Sequence, residues 1–116
     1  MSRLSGKKET ECSIQSAICD YLALSNLFFW RQNNIAVYDP IGKRFRALPK
    51  YAMRGLPDIQ IIYKGKTIFL EVKRKGTYQT PEQKLFEQRC VENKVSYFVV
   101  RSVEEAIERM TKLLES

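Results

Sequence analysis

Two β-forming runs separated by only two residues constrain the fold of this chain most strongly. Residues 59–63 (IQIIY) consist mainly of strand-forming residues, and residues 67–73 (TIFLEVK) alternate in the manner of a half-buried strand. Lys64 and Gly65, between the runs, can form a tight turn. The segment therefore predicts a β-hairpin.

The length of that turn decides which side chains share a face of the hairpin. With two turn residues, Tyr63 lies opposite Lys66, and the same register places Asp58 directly opposite Glu71. A three-residue loop would shift the register by one and place Asp58 opposite Val72, on the wrong face, unless a β-bulge restored the pairing. The two-residue turn thus predicts two carboxylates side by side.

Asp58 and Glu71 would repel each other in this register. Residues opposite each other on one face lie about 5 Å apart, and like charges there are destabilising. A divalent cation would remove that penalty, and alternation places Lys73 on the same face as Glu71, while Val72 points into the core. Two acids and one amine would then form a metal-dependent site. The alternative is a turn residue at Asp58 and a solvated strand face at Glu71 and Lys73.

Composition limits the classes of function. At 116 residues the chain predicts a single domain, 1–116, that can bury a core without disulfides. Lys and Arg number 20 against 13 acids, and the net charge of +7 favours a polyanionic partner such as DNA, although a basic protein without such a partner is the simpler alternative. Histidine is absent, which excludes histidine-based nucleases and most zinc sites and leaves carboxylates as metal ligands.

Cysteine usage and hydropathy bear on the compartment. Cys12, Cys19 and Cys90 are odd in number, lack C-x-x-C spacing and follow no signal peptide, which favours a reducing cytoplasm. No run approaches the roughly 20 apolar residues of a membrane span. We therefore expect no membrane association.

The N-terminal third predicts a helix followed by strands. Residues 1–8 are expected to be flexible. Apolar residues recur at helical spacing over 9–26, with Thr10 as the N-cap. Residues 27–31 (LFFWR) are expected to form a buried strand because they are aromatic, and residues 36–38 to continue it or pair with it.

Residues 39–55 predict a long basic loop that leads directly to Asp58. Phe45 and Tyr51 lie among its charges, which suits a surface that contacts phosphates and stacks on bases. A solvated loop that its aromatic residues anchor to the core is an equally weighted alternative. The predicted DNA-contacting residues are Lys43, Arg44, Arg46, Lys50 and Arg54 in this loop and Lys75 after the hairpin.

The C-terminal part predicts helix, strand and helix. Thr80 and Gln83 form a capping box around a proline, residues 95–100 form a strand, and Ser102 caps the last helix. The strand should join the sheet beside the hairpin by a right-handed crossover, giving a mixed α/β fold in the order α-β-β-β-α-β-α. The apolar stripe of the second helix is expected at Leu85, Phe86, Cys90 and Val91.

This arrangement resembles the PD-(D/E)XK nuclease superfamily. Within it, residues 55–58 (GLPD), residues 71–73 (EVK) and Gln83 resemble the VRR-NUC domain, over most of the chain from about residue 11 to residue 110. The resemblance implies a mixed β-sheet flanked by helices. Small stand-alone members of this family come from phages and bacteria and act as homodimers that resemble Holliday-junction resolvases.

The resemblance also implies roles for individual residues. Asp58 and Glu71 would bind Mg²⁺ or Mn²⁺ together with the backbone carbonyl of Val72. Lys73 would orient or deprotonate the attacking water, and cleavage would leave a 5′-phosphate.

Three further residues would support that site. Glu11 would face it from the first helix as a further metal ligand, although an acid in a first helical turn is commonly a surface residue that the helix dipole favours. Gln15, one turn later, would be a supporting polar residue. Gln83 would be another, although the capping box already accounts for it.

The expected function is a metal-dependent DNA endonuclease, homodimeric and selective for branched DNA. One alternative is a catalytically silent DNA-binding module, which would hold DNA equally well with a chelator and never cut it. Another is a restriction-type or repair exonuclease with the same chemistry, which only substrate assays would distinguish.

Overall fold

The computed structural model describes residues 9–32, 38–39, 44–45 and 50–115. The predictions of a flexible segment at 1–8 and of strand at residues 36 and 37 lie outside these ranges. The elements are α1 (Glu11–Leu24), β1 (Phe28–Arg31), β2 (Tyr38–Asp39), β3 (Arg44–Phe45), β4 (Ile59–Tyr63), β5 (Lys66–Val72), α2 (Pro81–Glu92), β6 (Ser96–Val100) and α3 (Val103–Leu114).

The fold is α/β, as predicted, with a four-stranded mixed sheet in the order β1-β4-β5-β6. β4 is antiparallel to β1 and β5, whereas β6 is parallel to β5 and follows it through α2. The predicted place of β6 beside the hairpin is confirmed.

The predicted element order lacked β2 and β3. These two-residue strands pair with each other in a separate sheet, with Tyr38 opposite Phe45. The prediction that residues 36–38 extend or pair with the first strand is therefore wrong at Tyr38, and the predicted loop over 39–55 contains strand residues. Two-residue strands lack the alternating pattern by which a sequence predicts a strand.

The hairpin register is confirmed. Lys64 and Gly65 form the turn with φ angles of +49° and +80°, the left-handed conformation that two-residue hairpin turns need. Tyr63 lies opposite Lys66 and Ile59 lies opposite Leu70. Carried one residue further, this register brings Asp58 alongside Glu71.

The two faces of the sheet are covered differently. α1 and α3 pack on one face, where their apolar side chains and those of alternate strand residues form the core. α2 lies on the other face, where the ring of Phe86 meets Phe69 edge-on at 5.2 Å and lies 6.2 Å from Tyr97. The core residues are Ile14, Ile18, Leu22, Ile59, Ile61, Ile68, Leu70, Val72, Val100, Ala106 and Met110.

β1 is not the buried strand that its aromatic residues predict. Phe28 is 65% exposed and Trp30 38% exposed, while Phe29 packs against the core. The strand is at the edge of the sheet and pairs only with β4 among the described strands. Aromatic content alone does not distinguish a central strand from an edge strand, because both favour such residues.

The apolar stripe of α2 is confirmed in part. Phe86 and Cys90 face the sheet, but Leu85 is 61% exposed and Val91 is 67% exposed. Among the strands, α2 packs mainly against β6 and therefore covers only part of this face of the sheet. Only a narrow stripe of the helix is buried as a result.

The helix caps agree with the sequence. Thr10 and Thr80 are N-caps with capping boxes, and the Ser102 hydroxyl accepts the backbone N–H of Glu105. No helix within the described residues is both long enough and apolar enough to span a bilayer.

Replacing Ile18 by alanine should lower the free energy of unfolding by about 2–5 kcal/mol, because the side chain is fully buried and its loss leaves a cavity. Leu24→Ala, on the same helix but 89% exposed, should change it by no more than about 0.5 kcal/mol. Urea unfolding of both variants measures the difference. Equal losses would contradict the placement of α1 on the core.

Candidate active site

The open end of the hairpin brings Asp58 across to β5. Asp58 lies one residue before β4, and its Oδ2 accepts the backbone N–H of Val72 at 2.7 Å. Because Val72 is fully buried on the core face, Glu71 beside it points to the opposite face. The two acids thus meet at one end of the sheet, as the register predicts.

Glu71 is buried beneath the start of α2, with only 2% of its surface exposed. Its Oε2 accepts a hydrogen bond from Gln83 Nε2 at 3.0 Å and lies 3.5 Å from Lys73 Nζ. Its Oε1 is buried and has no hydrogen-bond partner within the described residues. Lys73 is buried as well, so the alternative of a solvated strand face is wrong.

Gln83 serves the helix cap and the site together. Its Oε1 accepts the backbone N–H of Thr80 at 2.9 Å, which closes the capping box, while its Nε2 donates to Glu71. The capping box therefore fixes the amide that orients the Glu71 carboxylate. The sequence predicted both contributions but gave no reason to expect one conformation to satisfy them.

The environment favours the neutral forms of both acids. Burial and, to a smaller extent, the charge of Asp58 raise the pKa of Glu71 to about 8, although Lys73 opposes both effects. Burial also raises the pKa of Asp58, against the hydrogen bond from Val72 and the charge of Lys73. The charged pair is therefore electrostatically unfavourable without additional positive charge.

These residues fit a hard divalent cation. No cluster of three or more histidine, cysteine or acidic side chains suited to a metal occurs in the described part of the chain, so the protein would supply two carboxylates. Mg²⁺ is usually held by one or two carboxylates, with water and substrate phosphate oxygens completing its coordination. A cation here would pair with the buried oxygen of Glu71 and offset the repulsion from Asp58.

Glu11 and Gln15 face different neighbours. Glu11 Oε2 accepts the Thr77 hydroxyl at 3.1 Å and the backbone N–H of Arg74 at 3.5 Å, and its charge contributes to the raised pKa of Asp58. Gln15 Oε1 accepts Arg31 Nε at 2.6 Å, on β1. The structure thus brings Glu11 to the border of the site and ties Gln15 to the edge strand.

Gly55 contributes to the site in a way that its motif did not reveal. It has φ +74°, and an added Cβ would lie 2.6 Å from the carbonyl carbon and oxygen of Glu82 and 2.8 Å from the backbone nitrogen of Gln83. Only glycine lets the chain before Asp58 pass this close to α2. The glycine in GLPD therefore positions the helix that carries Gln83.

Gln32 and Arg101 also support the site, and no motif marks them in the sequence. The Gln32 backbone N–H donates to the Asp58 carbonyl at 2.8 Å and so continues the pairing of β1 with β4. Arg101 Nη1 donates to the carbonyls of Arg74 at 2.9 Å and of Thr77 at 2.6 Å. The first contact fixes the backbone of Asp58, and the second fixes the loop after Lys73.

The predicted DNA-contacting residues lie in several places. Lys50 and Arg54 are exposed, and Arg54 lines a pocket of about 540 Å³ beside α2. Lys75 is exposed and lines a pocket of about 300 Å³ with Arg74 and Arg101. Of the others, Arg44 lies in β3, and Lys43 and Arg46 lie outside the described residues.

Comparisons of the chain with protein-family models, with curated proteins and with solved structures gave no match. Its function has to be inferred from the described residues themselves. Among these, Asp58, Glu71 and Lys73 form the cluster with the clearest chemical consequence.

Gly55→Ala should lower the free energy of unfolding by about 2–4 kcal/mol, because left-handed strain adds to a clash with the backbone of α2. Gly65→Ala is the matched control: it has φ +80° and nothing within 4 Å of an added Cβ, so only strain of about 1–2 kcal/mol is expected. Urea unfolding measures both. A loss no larger for Gly55→Ala would show that its contact with α2 is unimportant.

The metal-free protein should lose stability as pH rises from 4.5 to about 8. Folding raises the pKa of Glu71, so the folded state holds this proton more tightly than the unfolded chain does. The stabilisation is complete below the ordinary pKa of 4.5 and is lost as pH passes through about 8. Asp58 shifts in the same direction.

Glu71→Gln, which cannot ionise, should flatten this dependence. Unfolding in urea with a chelator, at a series of pH values, gives the slope for each protein. Stability that rises with pH in the unsubstituted chain would contradict the burial of Glu71 as an acid.

Proposed function

We propose that this chain is a metal-dependent DNA endonuclease of the PD-(D/E)XK type, similar to the VRR-NUC domain and selective for branched DNA. One observation carries the proposal. Asp58, Glu71 and Lys73 converge at one end of the sheet, and a buried carboxylate oxygen of Glu71 has no hydrogen-bond partner within the described residues.

A purely structural role accounts poorly for this cluster. Burying Glu71 and Lys73, with Asp58 half-buried beside them, costs free energy, and an apolar trio of similar volume would stabilise a small domain at least as well. Strongly shifted pKa values that arise from burial together with a specific charged neighbour are concentrated at functional sites. A bound cation would offset the free-energy cost of burying the Glu71 carboxylate.

The residues of the chain divide the work of phosphodiester hydrolysis. Asp58 and Glu71 would hold Mg²⁺ or Mn²⁺, with the Val72 carbonyl as a further ligand. The ion, when bound, supplies a Lewis acid that neutralises phosphate charge and lowers the pKa of bound water. The Val72 N–H fixes Asp58 and the amide of Gln83 fixes Glu71, so both carboxylates are oriented before substrate arrives.

Lys73 would act on the proton of the attacking water and on the negative charge of the transition state. Its ammonium is anchored 3.5 Å from Glu71 and is nearly buried, so it would lie beside a phosphate bound at the two acids. It would stabilise the charge that develops in the transition state and orient the attacking water or accept its proton. Glu11 would help to place the loop that follows Lys73.

Charge and assembly bear on the substrate. The net charge of +7 and the exposed Lys50, Arg54 and Lys75 favour DNA over a neutral substrate. The described part of one chain offers one such site, and symmetric cuts in a branched DNA need two sites, so we propose a homodimer.

Asp58→Ala, Glu71→Ala and Lys73→Ala should each lower the cleavage rate by about 100-fold or more, because each removes an oriented charge at the phosphate. Glu108→Ala and Lys84→Ala, two exposed charges on α3 and α2, are matched controls and should cut normally. The assay uses labelled four-way junction, flap, duplex and single strand with Mg²⁺, Mn²⁺ or EDTA. Circular dichroism confirms that each variant is folded.

The outcomes separate the functions. Cleavage that needs the metal, is strongest on the junction and is lost in the three variants supports the proposal. DNA binding that EDTA does not change, with no cleavage under any condition, would instead identify a silent DNA-binding module. Cleavage confined to DNA ends would identify an exonuclease with the same site.

A further inference from the structure

The strand register places two exposed aromatic side chains on the same face as the acids. Trp30 lies opposite Gln60, and Gln60 lies opposite Phe69, which forms a row across three strands. The next row on this face lies two residues further along each strand and contains Asp58 and Glu71, because successive side chains point to opposite faces. From strand spacing, the backbones of Trp30 and Asp58 are roughly 8 Å apart.

The part of this face around Trp30 is uncovered among the described residues. α1 and α3 pack on the opposite face, and α2 covers Phe69 and Tyr97 through Phe86. Trp30 is 38% exposed and Phe28, two residues before it, is 65% exposed. Their ring centroids are 5.4 Å apart with a tilt of 55°, and we call this pair the aromatic shelf.

We propose that the aromatic shelf stacks on an unpaired nucleobase next to the phosphodiester held at Asp58 and Glu71. The inference rests on the proposed nuclease function and narrows its substrate class to branched DNA with unpaired or splayed nucleotides at the cleavage point. A base inside a continuous duplex is already stacked on its neighbours, so only an unpaired or splayed base can turn its face to the shelf.

A nucleobase fits the shelf better than a second copy of this chain does. Two rings on a four-residue strand offer far less than the roughly 800 Å² per partner of a stable protein interface. The shelf also lies within about one nucleotide of the acids, and the net charge of +7 favours a polyanionic partner. Gln60, beside Trp30 in its row, adds hydrogen-bonding capacity for a base edge.

The chain contains a single tryptophan, so its fluorescence reports on the shelf directly. The unsubstituted protein, in EDTA to prevent cleavage, is titrated with a thymidine single strand, a strand of the same length made of abasic residues, a blunt duplex and a flap. We expect the thymidine strand and the flap to quench the emission. The abasic strand and the duplex should bind without quenching.

Binding of dye-labelled strands to variants gives a second measurement. Trp30→Ala should weaken binding of the thymidine strand about 5- to 150-fold, the range for losing one stacked base, and leave the duplex unchanged. Phe28→Ala keeps the tryptophan probe and should weaken both binding and quenching. Leu24→Ala removes an exposed apolar side chain of α1 and is the control that should change neither.

Any other result contradicts the proposal that the aromatic shelf stacks on a nucleobase. If the thymidine strand binds without quenching, or Trp30→Ala binds it normally, the proposal is overturned. Tryptophan emission that changes with protein concentration but does not change when DNA is added would indicate that the shelf mediates self-association. This result would also overturn the proposal. Failure of the nuclease proposal alone gives a different result. The thymidine strand still quenches the unsubstituted protein and Trp30→Ala still binds this strand more weakly, but the unsubstituted chain cuts no DNA with Mg²⁺ or Mn²⁺.

Discussion

The hydrogen bond from the Val72 N–H to Asp58 is the contact on which the site depends. It joins the start of one hairpin strand to the end of the other, and it exists because the two-residue turn at 64–65 sets the register. Side chains alternate with a period of two, so a shift of one residue would send Glu71 into the core and bring Val72 out. The turn, roughly 20 Å away along the strands, therefore determines which side chains meet at the other end of the hairpin.

Local folding signals and site geometry coincide at α2. Its capping box stabilises the first turn of the helix, and the same Gln83 side chain holds the Glu71 carboxylate. Gly55 lets the preceding loop approach that turn. A small domain can in this way orient a buried acid with few residues, and the energetic cost of burying Glu71 is concentrated where a cation would offset it.

Uneven coverage of the sheet leaves one region available for a partner. α1 and α3 bury one face with the main core, whereas α2 occupies only part of the other. The acids lie at one end of that second face, and Trp30 and Phe28 lie uncovered beside them among the described residues. Electrostatic and stacking contacts with a nucleic acid would therefore be made on a single surface, which is the arrangement expected for binding a single strand.

The helices, their caps and the hairpin register follow from the amino-acid sequence, because periodicity, capping residues and turn length act over a few neighbouring residues. The placement of Asp58, Glu71 and Lys73 on one face could be predicted for that reason. The burial of Glu71, the exposure of Trp30 and the contacts of Gly55 and Arg101 near the acids depend instead on the packing of distant elements. Burial and long-range contacts depend on which elements meet in space, and no local pattern encodes whether a strand lies at the edge or in the centre of a sheet.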